Sequence, residues 1–512
     1  MRSRTPIQPL MSLGLFALLA GAANAAPIVR VQHAPAVSAP SHARFDAKLK
    51  ALKISTDPFT NSSSQHRTEV EPDIFAYGST LVATFQQGRF YDGGASDVGW
   101  ATSTNGGATW QNGSLPGITK VQNSGNPYDR DTDPAVVYDS VHGQWLIASL
   151  PIVDFGSGAI GQMPVVSASS DGTHWNNPVL VAANNGDFID KSWITCDNWS
   201  ASPYLGHCYV EFDDVYQGDY EYMSTSTDGG HTWSKPYAPG LYGLGGQPLA
   251  LPNGKLVVPF LDDYYDISAF SSTNGGQSWG NGVTISAINT HGVAGSMRTE
   301  PLPSAAIDGN GTIYVVWQDC SYRTNCSSND IVMSTSTDGT HWSARTRIPI
   351  DATNSGVDHF IPGIAADITT GGSNAHLGLT YYFFPSSNCS VTTCQLEVGF
   401  VGSTDGGQTW TAPVTLSKKP MNVKWIAQTD QGYMVGDYLA TAFSGGQAYG
   451  VFALAKTVKN STFNEYMATP KGGLPPAYGM LRFSSRGERP VPGAHSDHPR
   501  RYPPPISNFA GV

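Results

Sequence analysis

The chain has 512 residues, long enough for a large core, with 56 glycines and 35 prolines but only 13% charged and 11% aromatic residues. That profile belongs to many short strands joined by turns and excludes a mainly helical fold. A net charge of −11 with no basic stripe excludes nucleic acid as a partner.

At the N-terminus Arg2 and Arg4 precede the apolar run Leu10 to Ala20, and Ala23-Asn24-Ala25 offers a small-residue cleavage site. A run this short does not span a membrane. Residues 1–25 therefore read as a signal peptide cleaved near Ala25, which makes the mature protein secreted or periplasmic. Residues 26–66 carry scattered Pro, Ala and Ser, and Phe45 to Ile54 reads as either a short helix or a closing strand.

From residue 67 one turn motif recurs. It reads STNGGATW ending at Trp110, SSDGTHW at Trp175, STDGGHTW at Trp233, STNGGQSW at Trp279, STDGTHW at Trp342 and STDGGQTW at Trp410. Asp or Asn before Gly bonds back to the turn backbone and tolerates positive φ, and the Trp then folds back as an apolar plug. Each copy follows a short β-rich run such as Asp330 to Ser336, which marks a repeat architecture in which each unit buries a face on the next.

Units open at Glu69, Asp131, Asp187, Gly245, Arg298, Asp358 and Val435, the last without a box. The expectation is an all-β fold, a β-propeller of six or seven four-stranded blades with Asp-box turns over residues 67–470, closed by an outer strand from the N-terminal side. A β-sandwich does not explain a box that recurs in one place, and parallel β-helix repeats are shorter. Residues 471–512, with Leu474-PPAYG, Arg489-PVPG and Tyr502-PPP, read as a Pro-rich disordered tail.

The cysteines fall as close pairs, Cys196 with Cys208, Cys320 with Cys326 and Cys389 with Cys394, each spanning a loop between strands. In an exported chain they read as three local disulfides rather than a zinc site. No cofactor is expected, although the acidic runs Glu211 to Asp214 and Asp262 to Asp266 leave a structural calcium open. No P-loop, dinucleotide glycine signature, H-E-x-x-H or G-x-S-x-G is present.

In a propeller the innermost strands start around one funnel, so residues at the unit openings converge. These are Arg67, Asp73, Arg130, Asp131, Asp133, Asp190, Lys191, Arg298, Glu300, Asp358, His359, Asp437 and Tyr438. Such a set forms a glycan site or, more plainly, caps strands and pairs with itself.

The boxes are similar to the Asp-box, or BNR, repeats of the sialidase superfamily. Three further segments resemble it as well: Gly245-GQPLALPNGKLVVP, Arg298-TEPLPSAAIDGNGTIYVVW and Gly436-DYLATAFSGGQAYGVFAL. The likeness covers most of residues 67–456. It implies Tyr438 as nucleophile, Glu300 as the base that takes its phenolic proton, and Asp92 or Asp97 as acid/base, a Tyr nucleophile being a known exception among glycosidases. It also implies arginines that grip a substrate carboxylate, and Arg67, Arg89, Arg130 and Arg298, with Asp73, are the substrate-binding candidates. The family's arginine positions are not matched in register: Arg67 lies three residues early, Gln318 and Asp319 stand where the second is expected, and no Arg lies between Tyr381 and Trp410.

The expectation is a monomeric, retaining, sialidase-like exo-glycosidase without a membrane span. The alternatives are a non-catalytic glycan- or protein-binding BNR propeller and a propeller polysaccharide lyase using Tyr438 and His359.

Overall fold

The structure is a computed structural model that describes residues 51–156, 158–183, 186–478 and 482–491. The signal peptide assigned to residues 1–25 and residues 26–50 lie outside the described residues. No helix among those described is long and apolar enough to cross a membrane.

Among the described residues, all regular structure beyond single 3-10 turns is strand. The innermost strands Glu69–Tyr77, Arg130–Asp139, Ile189–Cys196, Ser304–Ile307, Asp358–Ala366 and Ala440–Ser444 each begin a run of antiparallel neighbours. Apolar clusters fill the spaces between successive runs, for example Leu251, Val257, Ile267 and Trp317 between two of them. Side chains also stitch each inner strand to the next. Asp73 accepts from the Val136 amide at 2.7 Å, Gln247 from Ala305 at 2.9 Å and Ser304 from Ile364 at 3.1 Å.

The expected six or seven four-stranded blades are not what forms. The described strands gather into five sheets of four or more strands, a five-blade arrangement. The units opening at Glu69 and Asp131 share one nine-stranded sheet, because Ala95 of the strand Ala95–Ser103 pairs with Asp131. Gly94 permits that approach: its φ is +70°, and a Cβ there would lie 2.6 Å from Ile152 and 3.3 Å from Arg130.

The unit opening at Asp187 supplies only the three-stranded sheet Ile189–Cys196, Cys208–Asp214 and Tyr220–Ser226. After its box the chain passes Pro236 and Pro239, which have no amide to donate, and the isolated bridges Met223–Tyr237 and Tyr220–Tyr242 stand in place of a fourth strand. The N-terminal strand Ala51–Lys53 pairs with Glu465–Pro470 and joins the two ends of the ring.

The boxes form the expected turns. In the third, the Ser226 hydroxyl accepts from the Gly230 amide at 3.0 Å, Asp228 accepts from Thr232 at 2.9 Å, and Trp233 Nε1 donates to the Gly230 carbonyl at 3.2 Å. Gly229 and Gly230 sit at φ +73° and +84°, which L side chains rarely adopt. The three disulfides pair as the spacing indicates.

The tail does not begin at residue 471. Leu474 is fully buried and exchanges backbone bonds with Ala448, Arg482–Phe483 pairs with Trp410–Thr411, and the Val491 amide donates to Ser321. Burial of one leucine and a few strand bonds outweighed the proline-rich composition. Residues 492–512 lie outside the described residues.

Burial also sets a pH dependence. Glu465 is 1% exposed, one oxygen accepts from the Ala427 amide at 3.2 Å, the other meets no donor among the described residues, and burial pushes its carboxyl up to about 8. In the unfolded chain it titrates near 4.5. Between those values the folded state holds a proton that the unfolded state has lost, so stability falls as pH rises through that window and levels off above it. Glu465→Gln, which cannot ionise, is expected to match the native protein near pH 4.5 and exceed it by on the order of 1–3 kcal/mol at pH 9, in urea unfolding at both pH values.

Candidate functional site

Three of the inner strands carry the same defect at the same place. Register shifts between Val70 and Asp73, Thr132 and Ala135, and Asp190 and Ser192 mark β-bulges, and the bulged residues Glu71, Asp133 and Lys191 have φ of +54°, +45° and +47°. A fourth bulge, at Ile361 with φ +48°, places an apolar side chain in the equivalent position. Positive φ on such residues costs about 1–3 kcal/mol each and persists only where the surroundings fix it. Here the bulges bring Glu71, Asp133 and Lys191 together, and charge pairing supplies the constraint.

The Lys191 ammonium lies 2.7 Å from Asp437, 3.3 Å from Asp133 and 3.9 Å from Glu71. Arg298 grips Asp437 with two nitrogens, Nε at 2.8 Å and Nη2 at 2.5 Å. Gln86 donates to Glu71 and, at 2.7 Å, to the Thr132 hydroxyl. Against burial, which pushes it up, Arg298 and Lys191 hold the Asp437 carboxyl below the usual carboxylate range. Burial, then Asp133, push Glu71 up to about 8.

Arg89 is also buried beside this network, its Nη1 on Gln86 at 3.3 Å, its Nε and Nη2 meeting no acceptor among the described residues, and burial lowers its basicity. The centre of the network is buried, with Glu71, Arg89, Asp437, Asp133 and Lys191 all at most 5% exposed, while Arg298 keeps 18% of its side chain exposed.

Tyr438 stands against this network. Lys191 lies 5.7 Å from its ring centre and Trp193 packs edge-on at 5.1 Å. Its hydroxyl donates to the Pro134 carbonyl at 3.2 Å. Burial, followed by the charges of Glu71, Asp133, Asp73 and Asp437, pushes the phenol well above its ordinary range. Glu300 is half-buried, and its charge acts on Arg298, Asp219 and Tyr265.

The remaining candidates scatter. Asp92 is held by Arg130, whose guanidinium also bonds Asp154 at 2.5 Å and lies over Phe90. Asp97 is fully buried beside Asp131, and burial raises its carboxyl well above the usual range. Arg67 is exposed and meets the last sheet through its carbonyl, which accepts from the Glu465 amide. Asp73 is a strand stitch whose carboxyl burial pushes to about 7. Asp358 caps Asn329, and His359 is buried between sheets, bonded to the Asn329 carbonyl at 3.2 Å, so the lyase candidate does not face the funnel. Arg298 alone of the four arginine candidates bonds Asp437.

Glu71, Gln86 and Trp193 escaped the sequence reading. Glu71-Pro72 repeats the acid-proline pair Asp133-Pro134, and that match was the available signal.

Beyond the bulges the inner strands enclose a cavity of about 1190 Å³. Trp193, Gln247, Ser304, Asp367, His376 and Phe443 line it among many alanines, and Tyr77, 47% exposed and stacked on Tyr138, stands on its wall. Trp193 thus touches both the cavity and Tyr438.

Residues 162–433 match the BNR repeat-like domain, and no curated protein matches the chain. Among solved structures, a protein of unknown function from Dyadobacter fermentans aligns at 14% identity and TM-score 0.45 over 70% of this chain and 100% of its own. The NanB sialidase of Streptococcus pneumoniae aligns at 14% and 0.40 over 82% and 70%, and Trypanosoma rangeli sialidase at 13% and 0.42 over 84% and 59%. With the domain match spanning more than half of its length and the boxes in place, this chain belongs to the BNR repeat-like domain family.

Proposed function

We propose that the protein is an exported, glycan-recognising BNR propeller that binds carbohydrate in its central cavity and does not hydrolyse it through Tyr438. The observation that carries this reading is the commitment of the buried Tyr438 hydroxyl to the Pro134 carbonyl beside an internally paired ion network. An attacking phenol needs a base within reach and an open face toward the sugar. The cavity offers what sugar recognition uses instead: an aromatic face at Trp193 and amide, hydroxyl, carboxyl and imidazole groups at Gln247, Ser304, Asp367 and His376. Three disulfides support an oxidising compartment.

The second reading is the retaining exo-glycosidase with Tyr438 and Glu300. It is favoured by the concentration of carboxylates, Glu71 and Asp133 among them, whose charges act on the phenol. Two measurements separate the readings. A glycan array followed by calorimetry should show a bound sugar whose affinity drops at least tenfold in Trp193→Ala, while a panel of methylumbelliferyl glycosides, the sialic acid conjugate included, shows no turnover. Turnover that disappears in Tyr438→Phe would replace binding by hydrolysis, and neither binding nor turnover would remove carbohydrate as the ligand.

A further inference from the structure

The central cavity opens at the end of the inner strands opposite to that at which the units begin. Along Glu69–Tyr77 exposure climbs from 5% at Asp73 to 47% at Tyr77, and along Asp358–Ala366 and beyond it climbs from 4% at Ile364 to 55% at Ile368. Val136 and Leu439, which also line the inner end, are buried. Tyr77, Ser79, Ile368 and Gly445 line the open end, where each inner strand turns back: Tyr77 pairs with Thr80, Ala366 with Leu377 and Ser444 with Gln447. From Asp73 to Tyr77 the strand rises roughly 13 Å. The bulges and the ion network lie at the other end, near the strand starts.

The lining sorts ligands by charge. Among the described residues its ionisable acids are the carboxyls of Asp73 and Asp367, its one imidazole is that of His376, and no lysine or arginine is present. An anionic group brought into this space gives up water, meets no permanent cation and faces like charge.

Uncharged hydroxyl groups are better matched. Gln247 Oε1 accepts from the Ala305 amide at 2.9 Å and Ser304 Oγ from the Ile364 amide at 3.1 Å, which leaves the amide NH₂ of one and the O–H of the other as donors. Asp367 Oδ1 accepts from the Thr369 amide at 3.0 Å and hydroxyl at 2.7 Å, and its second oxygen is a further acceptor. Trp193 toward the inner end and Tyr77 and Phe443 toward the mouth add aromatic surface. The volume of about 1190 Å³ exceeds the roughly 300–1,000 Å³ of small-molecule pockets, so more than one sugar ring fits. With one mouth, the cavity takes a chain by its end, because an internal segment needs two exits.

Resting on the carbohydrate reading above, we propose that the cavity holds the terminal residues of an uncharged glycan, which enters between the hairpin turns and not past the strand starts. Glycans that end in sialic or uronic acid are rejected.

The test uses the full mature chain on an array of glycans ending in glucose, galactose or mannose. Each is printed beside the same glycan ending in the corresponding uronic acid, which differs only in the oxidation of one carbon, and sialylated glycans are included. Hits are titrated by calorimetry at pH 8. At least one neutral glycan should bind, and its uronic partner at least tenfold more weakly. Acidic glycans that bind as tightly or more tightly would overturn the neutral assignment and leave carbohydrate as the ligand, whereas no binding to any printed glycan would remove the carbohydrate reading itself.

The mouth is tested separately. All six cysteines are paired, so an introduced thiol is labelled alone. A maleimide-polyethylene glycol on Ser79→Cys, at a hairpin turn of the mouth, should weaken the bound neutral glycan at least tenfold. The same label on Tyr264→Cys, exposed on the turn that follows Asp262, the partner of Gly243 near a unit opening, should leave affinity unchanged. Any other pattern would overturn the placement of the mouth. Ile368→Cys, on another turn of the same mouth, serves where Ser79→Cys fails to fold.

Discussion

Lys191→Met is expected to lower the unfolding free energy by about 3–5 kcal/mol, the usual cost of leaving buried charges without their partner. The ammonium is the shared counter-charge of Glu71, Asp133 and Asp437, at 3.9, 3.3 and 2.7 Å. Methionine has a similar length and apolar stem, so packing changes little and the loss reports the charge. Arg298 still holds Asp437, but Glu71 and Asp133 are left facing each other at 1% and 4% exposure. Adding Asp133→Asn should recover part of the loss, with a coupling of about 0.5–3 kcal/mol. Guanidinium unfolding of both single variants and the double variant measures it. A loss below about 1 kcal/mol, with no recovery in the double variant, would show that the network contributes little and that the strained bulges are fixed by packing alone.

The second large effect belongs to a box. Trp410→Ala should cost about 3–5 kcal/mol, as for other buried large-to-small aromatic changes, whereas Trp110→Ala should cost clearly less. Both indoles donate to the carbonyl of their own turn, Trp410 at 3.1 Å and Trp110 at 3.3 Å. They differ in surroundings. Trp410 is 2% exposed in the cluster of Tyr314, Met333, Ile348 and Leu377 and pairs through its backbone with Phe483, while Trp110 is only half-buried. Equal losses in parallel unfolding experiments would mean that the turn, not the apolar contact, sets the contribution.

That contrast shows what was legible in the sequence. The boxes gave turn chemistry directly, because Asp-Gly-Gly followed by Trp has few conformations open to it. The strands before them, such as Asp330–Ser336, and the disulfides were equally readable, since both rest on residues close in the chain. The blade count was not. Whether Ala95 pairs with Asp131 depends on how closely two units approach at Gly94, and no local pattern records that distance.

The candidate site was read at the level of convergence: Asp133, Lys191, Arg298 and Asp437 meet as their positions at the unit openings suggest. Individual roles were not readable, because side-chain direction at a bulge depends on one inserted residue. The same register shift that directs Glu71 into the network leaves Asp73 bonding the next strand.

The pairing of Ala51–Lys53 with Glu465–Pro470 also fixes an order of events during biosynthesis. Ser55 meets the Met467 amide across 412 residues, so at ordinary synthesis rates the first strand waits roughly 20–80 s for its partner to be made. Until then the growing chain presents open sheet edges, which invite pairing with other chains. The ring therefore closes only after nearly all of the chain has been made, and a truncation that removes Glu465–Pro470 leaves the N-terminal strand permanently unpaired.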